Sequence, residues 1–567
     1  MANRPHGIVD RNVGDRSIGQ QRKMEKDKGK SMMKLHYSMA HEPLLELSTR
    51  DALIANMKKA GIEKIWIAAF YSGDMVDLEE LKQAKAYAEQ NGLEVGALTI
   101  PIGHPGNSLN PEDPDSKLQI PKHWHYRINK KGETAYYCGA IDACLIEDNG
   151  KAAMLLRDAG FTEVFLDDDL RVGNLNGNIE GCYCDACVAE FNAIYRRQET
   201  RETLSVQMAD RRDPALMKDW VAFQCDKVTA VMKATDIEGV QPGIMVMHFG
   251  DERHGIDIPA IREQIPNTLF RVGEHQFNDR KFANPYAKGE EMLGIAYHLN
   301  FIDKPFAYSE TTVFPPRSLK EHHLVYKAKL AIAAGLENIL FMSGTWAMDD
   351  SYWEAIAAAL PVLRAFDKDC ADGERTYPVH LAYGTHGAYA EPIIPTSLPV
   401  LAGLPVKPLR ADQCDDDGEL LLFFGDYELT REWQAKLPHY KQVMFDQKAA
   451  LKNKAAIEAL KATASNLVCW DHEATSRPDA AEVSLLQAWI AQEAREFPHI
   501  VEGDHIGLVW LKNSGKVILY NLLETENQGA VEMSGRKHPV RLKPLSFAVL
   551  SRAGSLAEYD TEIELYK

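Results

Sequence analysis

From Met33 onward, short apolar runs alternate with stretches of helical period, and this alternation is the dominant pattern of the chain. MKLHYSM (33–39) predicts a first strand, and RDALIANMKKAG a first helix, capped by Ser48 or Thr49 and stopped at Gly61. KIWIAAF (64–70) predicts a second strand, VDLEELKQAKAYAEQNG a second helix, and LEVGALTI (93–100) a third strand before a long loop with His104, Trp124 and Cys138. NGKAAMLLRDAG leads into the fourth strand, TEVFLDDD (162–169). Further strands are expected in PGIMVMHFGDE (242–252), NTLFRVGEH (267–275) and KPFAYSE (304–310). The helix SLKEHHLVYKAKLAIAAG then leads to an eighth, ENILFMSGTW (337–346). Eight strands alternating with helices over roughly 340 residues predict an α/β fold of the (β/α)8 barrel type, with its active site at the strand C-termini. A doubly wound open sheet accounts less well for eight units in series.

Beyond Cys370 the rhythm changes. Residues 376–470 carry apolar runs such as ELLLFFGD and YKQVMFD between helices, as a small flavodoxin-like α/β domain would, and DDDG at 415–418 reads as a solvated turn. Near the end, IGLVWLKNSGKVILYNLL and VRLKPLSFAVLSR alternate in the manner of hairpins and predict a terminal β-sandwich. The expected division is a disordered leader over 1–31, a barrel over 32–372, an α/β domain over 373–472 and a β-rich domain over 473–567.

Size supports this division, because 567 residues exceed what one core usually holds. The net charge of -18 argues against nucleic acid or an anionic membrane as partner, since both reward clustered Lys and Arg. No window reaches the ~18 apolar residues of a membrane span, and residues 1–31 lack the apolar run of a secretory signal. Nine cysteines, several far apart and outside any motif, do not form a disulfide framework. A reducing, cytoplasmic setting is expected, with the periplasm left open.

The chemistry concentrates at the end of strand four. Three aspartates, Asp167, Asp168 and Asp169, are followed by a Gly/Asn-rich loop and then CxCxxC at Cys182, Cys184 and Cys187. Three thiols at that spacing suit a soft metal, and tetrahedral zinc needs a fourth ligand: Cys138 in the preceding loop, or else Cys144. A closed four-thiolate site would be structural. Polar and aromatic groups also gather at the other strand ends, where Tyr37, His248, Glu274, His275 and Trp346 are candidate substrate contacts, with Asp74 and His104 nearby. Trp346 suits an apolar floor under a sugar ring.

Glycoside hydrolysis needs two carboxyl groups facing one another across the scissile bond, one of them protonated. Crowding in the aspartate run would raise one carboxyl, and Glu310 at the end of strand seven would face it as nucleophile. By strand alternation Asp167 and Asp169 share one face and Asp168 the other, so at most two enter the pocket. An ion pair with a barrel Lys or Arg is the competing role for Glu310, and Glu252 and Glu274 are reserves. A metal-dependent hydrolase using the aspartates is a weaker option, since it would want His and Asp at tight spacing and neither HxH nor HExxH is expected.

Two segments carry a family resemblance. GCYCDACVAEF is similar to the cysteine segment that follows the acid/base strand in glycoside hydrolase family 42, the β-galactosidases. KPFAYSETT with LVYKAKLAIAAGLENILFMSG resembles that family's nucleophile strand, following helix and eighth strand. The resemblance implies a retaining exo-β-glycosidase with a carbohydrate substrate, Glu310 as nucleophile, and a structural zinc on Cys138, Cys182, Cys184 and Cys187. It implies no organic cofactor, and a homotrimer built by the middle domain. Where the family has Asn-Glu, this chain has Asp168-Asp169, so Asp169 or Asp168 is expected as acid/base, with Glu180 or Glu252 as substitutes. This departure leaves open a relative acting on a mannoside, fucoside or arabinopyranoside, or a carbohydrate-binding protein on a degenerate barrel.

Overall fold

The computed structural model describes residues 33–560 except 104–118, 168–169, 173–178, 180, 211–212, 247–248, 250–251, 275, 345, 384–393, 414–417, 463 and 493–494. Eight parallel strands form the barrel: β1 (Lys34–Met39), β2 (Ile62–Tyr71), β3 (Glu94–Ile100), β4 (Glu163–Leu166), β5 (Gln241–Met245), β6 (Leu269–Arg271), β7 (Ala307–Tyr308) and β8 (Asn338–Met342). Each pairs with its neighbours in sequence, and β1 pairs with both β8 and β2, which closes the sheet. All eight expected strands are present. Thr49 does stand at the N-cap of helix Arg50–Lys59, but its side chain makes no capping bond.

The barrel interior is packed with large side chains. Trp66, Phe165 and Tyr308, from β2, β4 and β7, meet edge to face with ring centroids 5.0 to 5.9 Å apart, and Leu98, Leu269 and Leu340 complete the layer. Gly96 on β3 makes room for the indole, because a Cβ there would come within 2.5 Å of the Trp66 ring. Below this plug, toward the strand N-termini, Lys64 pairs with Glu163 and lies over Trp66. Above it, the period of two sends the residues two positions onward into the same interior: Asp167 follows Phe165, Arg271 follows Leu269, and Met342 follows Leu340. Glu310 follows Tyr308 in the same way.

After helix Asp350–Ala371, residues Arg375–Thr376 pair with Trp510 and Leu511 of the terminal domain. The chain then builds a parallel sheet from β9 (Val379–Ala382), β10 (Val406–Leu409), β11 (Leu420–Phe423), β12 (Gln442–Phe445) and β13 (Leu467–Cys469), in spatial order 10-9-11-12-13. This is the flavodoxin-like order expected for the α/β domain. The last domain is two antiparallel sheets of five and three strands, whose inner faces share one core including Leu508, Leu519, Val531 and Val540. Among the described residues no helix is long and apolar enough to cross a membrane.

Candidate active site

Arg271 organises the mouth of the barrel. It is 1% exposed, and its guanidinium reaches Asp167 Oδ1 with Nη1 and Glu310 Oε1, at 3.1 Å, with Nη2. The same fork touches the sulfurs of Met245 and Met342 on β5 and β8 at 2.7 and 2.9 Å. One cation thus stands between two carboxylates carried by β4 and β7. Buried charge is tolerable only with such partners.

Glu310, 2% exposed, is held by more than the arginine. The Glu274 N–H donates to Glu310 Oε2 at 3.1 Å, and the Glu310 N–H donates back to Glu274 Oε1 at 3.0 Å. Glu274 in turn pairs with Lys327 Nζ at 2.9 Å, and Lys327 also reaches Glu291 Oε1 at 2.8 Å and the Gln276 carbonyl at 3.1 Å. Burial works against the Lys327 charge, but the two carboxylates outweigh it and hold the ammonium above its usual range. Glu291 is pushed up to about 7 by burial, against the pull of Lys327. Glu290, which accepts from Gln276 Nε2 at 3.2 Å, is also raised to about 7, by burial and by its neighbour Glu291. Arg271, Lys327 and this second tier of glutamates were absent from the sequence expectations. The available signal was a charge inside an otherwise apolar strand or helix, as in LFRV and VYKAKLAIAA.

Trp346 lies on the rim and is 53% exposed, so it is no core residue. It lines a cleft of about 280 Å³ with Pro316, Arg317, Ser343, Asp349 and Tyr352. Gly344, at φ +60, turns this loop, and a Cβ there would press on Trp346 at 3.2 Å. Tyr37 is fully buried beneath the same loop: its hydroxyl accepts from the Met348 N–H at 3.0 Å and donates to the Trp346 carbonyl at 3.5 Å. Burial pushes that phenol well up. Tyr37 therefore supports the loop that carries the indole. Glu252 pairs with Arg410 of the second domain, and Asp74 is exposed on a short strand folded back on β2.

Asp168, Asp169, Glu180, His104, His248 and His275 lie outside the described residues. One His-x-His spacing does occur, at His123 and His125; both are exposed, and they pair separately with Asp148 at 2.5 Å and Asp142 at 2.9 Å.

The sulfurs of Cys182, Cys184 and Cys187 lie within 4.8 Å of one another. Cys184 caps helix Asp185–Tyr195, its sulfur accepting from the Cys187 N–H at 3.4 Å. The three thiols share hydrogen bonds that hold Cys184 well below its usual range, through Cys182 first and then Cys187, and push Cys182 and Cys187 up. A thiolate knuckle of this kind fits zinc, whose tetrahedral sulfurs stand about 3.8 Å apart. Cys138 is buried on the hairpin strand Thr134–Gly139 but stands outside this group, and Cys144 is exposed, so three of the four expected thiols come together.

No family model matches the sequence, and no curated protein matches it. Solved structures do. A β-galactosidase from the psychrophilic Marinomonas ef1 superposes with a TM-score of 0.58 at 10% identity, over 91% of this chain and 99% of that one. Gan42B, a family 42 β-galactosidase from G. stearothermophilus, superposes with a TM-score of 0.58 in a catalytic mutant, at 11% identity over 91% of this chain and 98% of that one. The chain thus shares the fold of these β-galactosidases over 91% of its length, in keeping with the family resemblance of the two sequence segments.

Proposed function

We propose that the protein is a retaining exo-β-glycosidase acting on the terminal sugar of an oligosaccharide or glycoside. The observation that carries this reading is the Asp167–Arg271–Glu310 arrangement at the barrel mouth, below the exposed Trp346. Glu310 attacks the anomeric carbon, expels the leaving group and forms a glycosyl ester; water then releases the sugar with retention. Arg271 and the Glu274 N–H fix the orientation of the attacking carboxylate. Asp169, at the period-two position after the inward-facing Asp167, protonates the leaving oxygen and later deprotonates water, with Asp168 as the substitute. Trp346 offers its face to the sugar. The structural zinc, bound at the thiol knuckle, and a trimer assembled through the second domain belong to the same proposal.

A second reading, a barrel that binds sugar without turnover, draws support from one observation. Glu310 is nearly inaccessible and has a hydrogen bond to each carboxylate oxygen.

A panel of aryl β-glycosides (galactoside, glucoside, mannoside, fucoside, arabinopyranoside) separates the two. The first reading expects turnover of at least one, a loss of ~10³-fold or more in kcat for Glu310→Gln, and azide rescue of Ala at Asp169 or Asp168. An activated 2-deoxy-2-fluoro glycoside of the same sugar should label Glu310. Sugar binding by calorimetry with no turnover of any glycoside supports the second reading.

A further inference from the structure

Away from the barrel mouth, one cluster of metal-ligating side chains has no part in the chemistry above. His322 and His323 open the helix Glu321–Ala334 that follows β7, and Glu524 reaches them from the terminal β domain. One donor atom from each of the three lies within 4.8 Å of the other two. His323 is fully buried. Its Nδ1 is bound to Asp279 Oδ1 at 2.6 Å, which fixes the proton there and leaves the lone pair on Nε2.

That Nε2 stands 3.1 Å from Glu524 Oε1, yet it has no hydrogen-bond partner, because the oxygen lies off the axis an N–H donor would need. The Nε2 of His322 is likewise buried and unpartnered. Two lone-pair atoms facing one another repel unless a cation lies between them. Donors bound at 2.0 to 2.2 Å to one zinc stand about 2.8 to 3.6 Å apart, a span that includes the 3.1 Å between His323 Nε2 and Glu524 Oε1. Asp279 on the far nitrogen is the second carboxylate that orients a metal-bound imidazole.

We propose that His322, His323 and Glu524 bind a divalent cation of the zinc class. Two imidazoles and one carboxylate select such an ion over calcium or magnesium, and the exposed side of Glu524 leaves a position for water. The ion fastens the terminal domain to the barrel helix. Through Asp279, whose carboxylate also accepts from the Lys320 N–H at 3.1 Å, it reaches the loop after β6. Lys327, one helical turn beyond His323, holds Glu274 in the site, so the ion sits on the frame that supports the barrel mouth. This site is independent of the cysteine knuckle and of the proposed reaction.

The test is metal counting on the full chain after chelator treatment and reloading with Zn2+, in wild type, Glu524→Ala and His322→Ala, with Co2+ as spectroscopic probe. The wild type should hold one more ion per chain than either variant, while thiolate-to-cobalt absorption, which reports the knuckle, is equal in all three. Zn2+ should also raise the thermal midpoint of wild type more than that of Glu524→Ala, with affinity at the second site weakened 10-fold or more. Because Glu524 is exposed, its variant should fold even where His322→Ala does not. Equal metal content and equal Zn2+-induced shifts in wild type and Glu524→Ala would overturn the proposal.

Discussion

Arg271 is the residue on which the barrel mouth depends electrostatically, since it faces both Asp167 and Glu310 and all three are buried. Arg271→Met removes the cation and leaves two buried carboxyls without it. Breaking a buried pair in this way costs about 3 to 5 kcal/mol, so thermal unfolding should occur several degrees lower. Glu290 allows a cleaner pH experiment. Its carboxyl is raised from 4.5 to about 7 by burial, so below about pH 4 it is largely neutral whether folded or unfolded. As the pH rises from 4.5 toward about 7, the unfolded chain gives up a proton that the folded one keeps, and stability falls until the folded carboxyl also ionises. Glu290→Gln should therefore stabilise the protein at pH 8, on the order of 3 kcal/mol, and change little near pH 4, as read from thermal midpoints at both values.

How legible these residues were in the sequence follows from their geometry. Glu310 stood out because it ends a recognisable strand, and period-two alternation put Asp167 and Asp169 on one face and Asp168 on the other without saying which face is inward. Arg271 could not be placed by the same means: it sits inside the apolar run of β6, and only the closed barrel shows that two carboxylates converge on it. Its role arises from strands 4, 6 and 7 meeting across the interior, which no local pattern encodes. The clustering of Cys182, Cys184 and Cys187 was readable from their close spacing, whereas no local pattern fixes where a cysteine over forty positions upstream comes to lie.

At the scale of elements, the loop after β8 and the helix after β7 each have a distinct task. The loop presents Trp346 and rests on the hydroxyl of Tyr37. Tyr37→Phe strips the Met348 N–H of its acceptor, a loss of about 1 to 3 kcal/mol for a buried donor. Trp346→Ala leaves the fold intact and weakens sugar binding roughly 10-fold, in keeping with the contribution of one stacked aromatic ring. Calorimetric titration with the sugar identified by the glycoside panel distinguishes these effects: Tyr37→Phe shifts mainly the melting curve and Trp346→Ala mainly the affinity. The strands and helices that build these features were readable from apolar periodicity. The support beneath the loop was not, since a tyrosine at a strand end reads equally as a ligand contact and as a prop.

At the scale of the molecule, the three domains are joined by specific contacts. Arg410 of the second domain pairs with Glu252 of the barrel, and the strand Arg375–Thr376 is shared with the terminal sheet. If the second domain builds a trimer, light scattering will give the mass of three 63.5 kDa chains, and substitutions on that domain's exposed face will return the monomer. The order of β9 to β13 was implicit in the alternation of strand and helix. The domain contacts were not, because each involves residues more than a hundred positions apart.

The helix Glu321–Ala334 is buried along nearly its whole length, from His323 to Ala334. Tyr326 donates to the Asn521 carbonyl at 2.9 Å and Lys329 to the Tyr559 carbonyl at 3.1 Å, so the terminal domain forms the far wall of its packing. In a free-standing barrel that side of the helix would face solvent, and here it would be an apolar face on which Tyr326 and Lys329 lose the carbonyls they donate to. Evolution can therefore vary the sugar-facing loops freely, but it cannot shuffle this barrel into another architecture as a cassette. Truncation after the second domain should yield an insoluble chain, and co-expression of the missing piece should recover it.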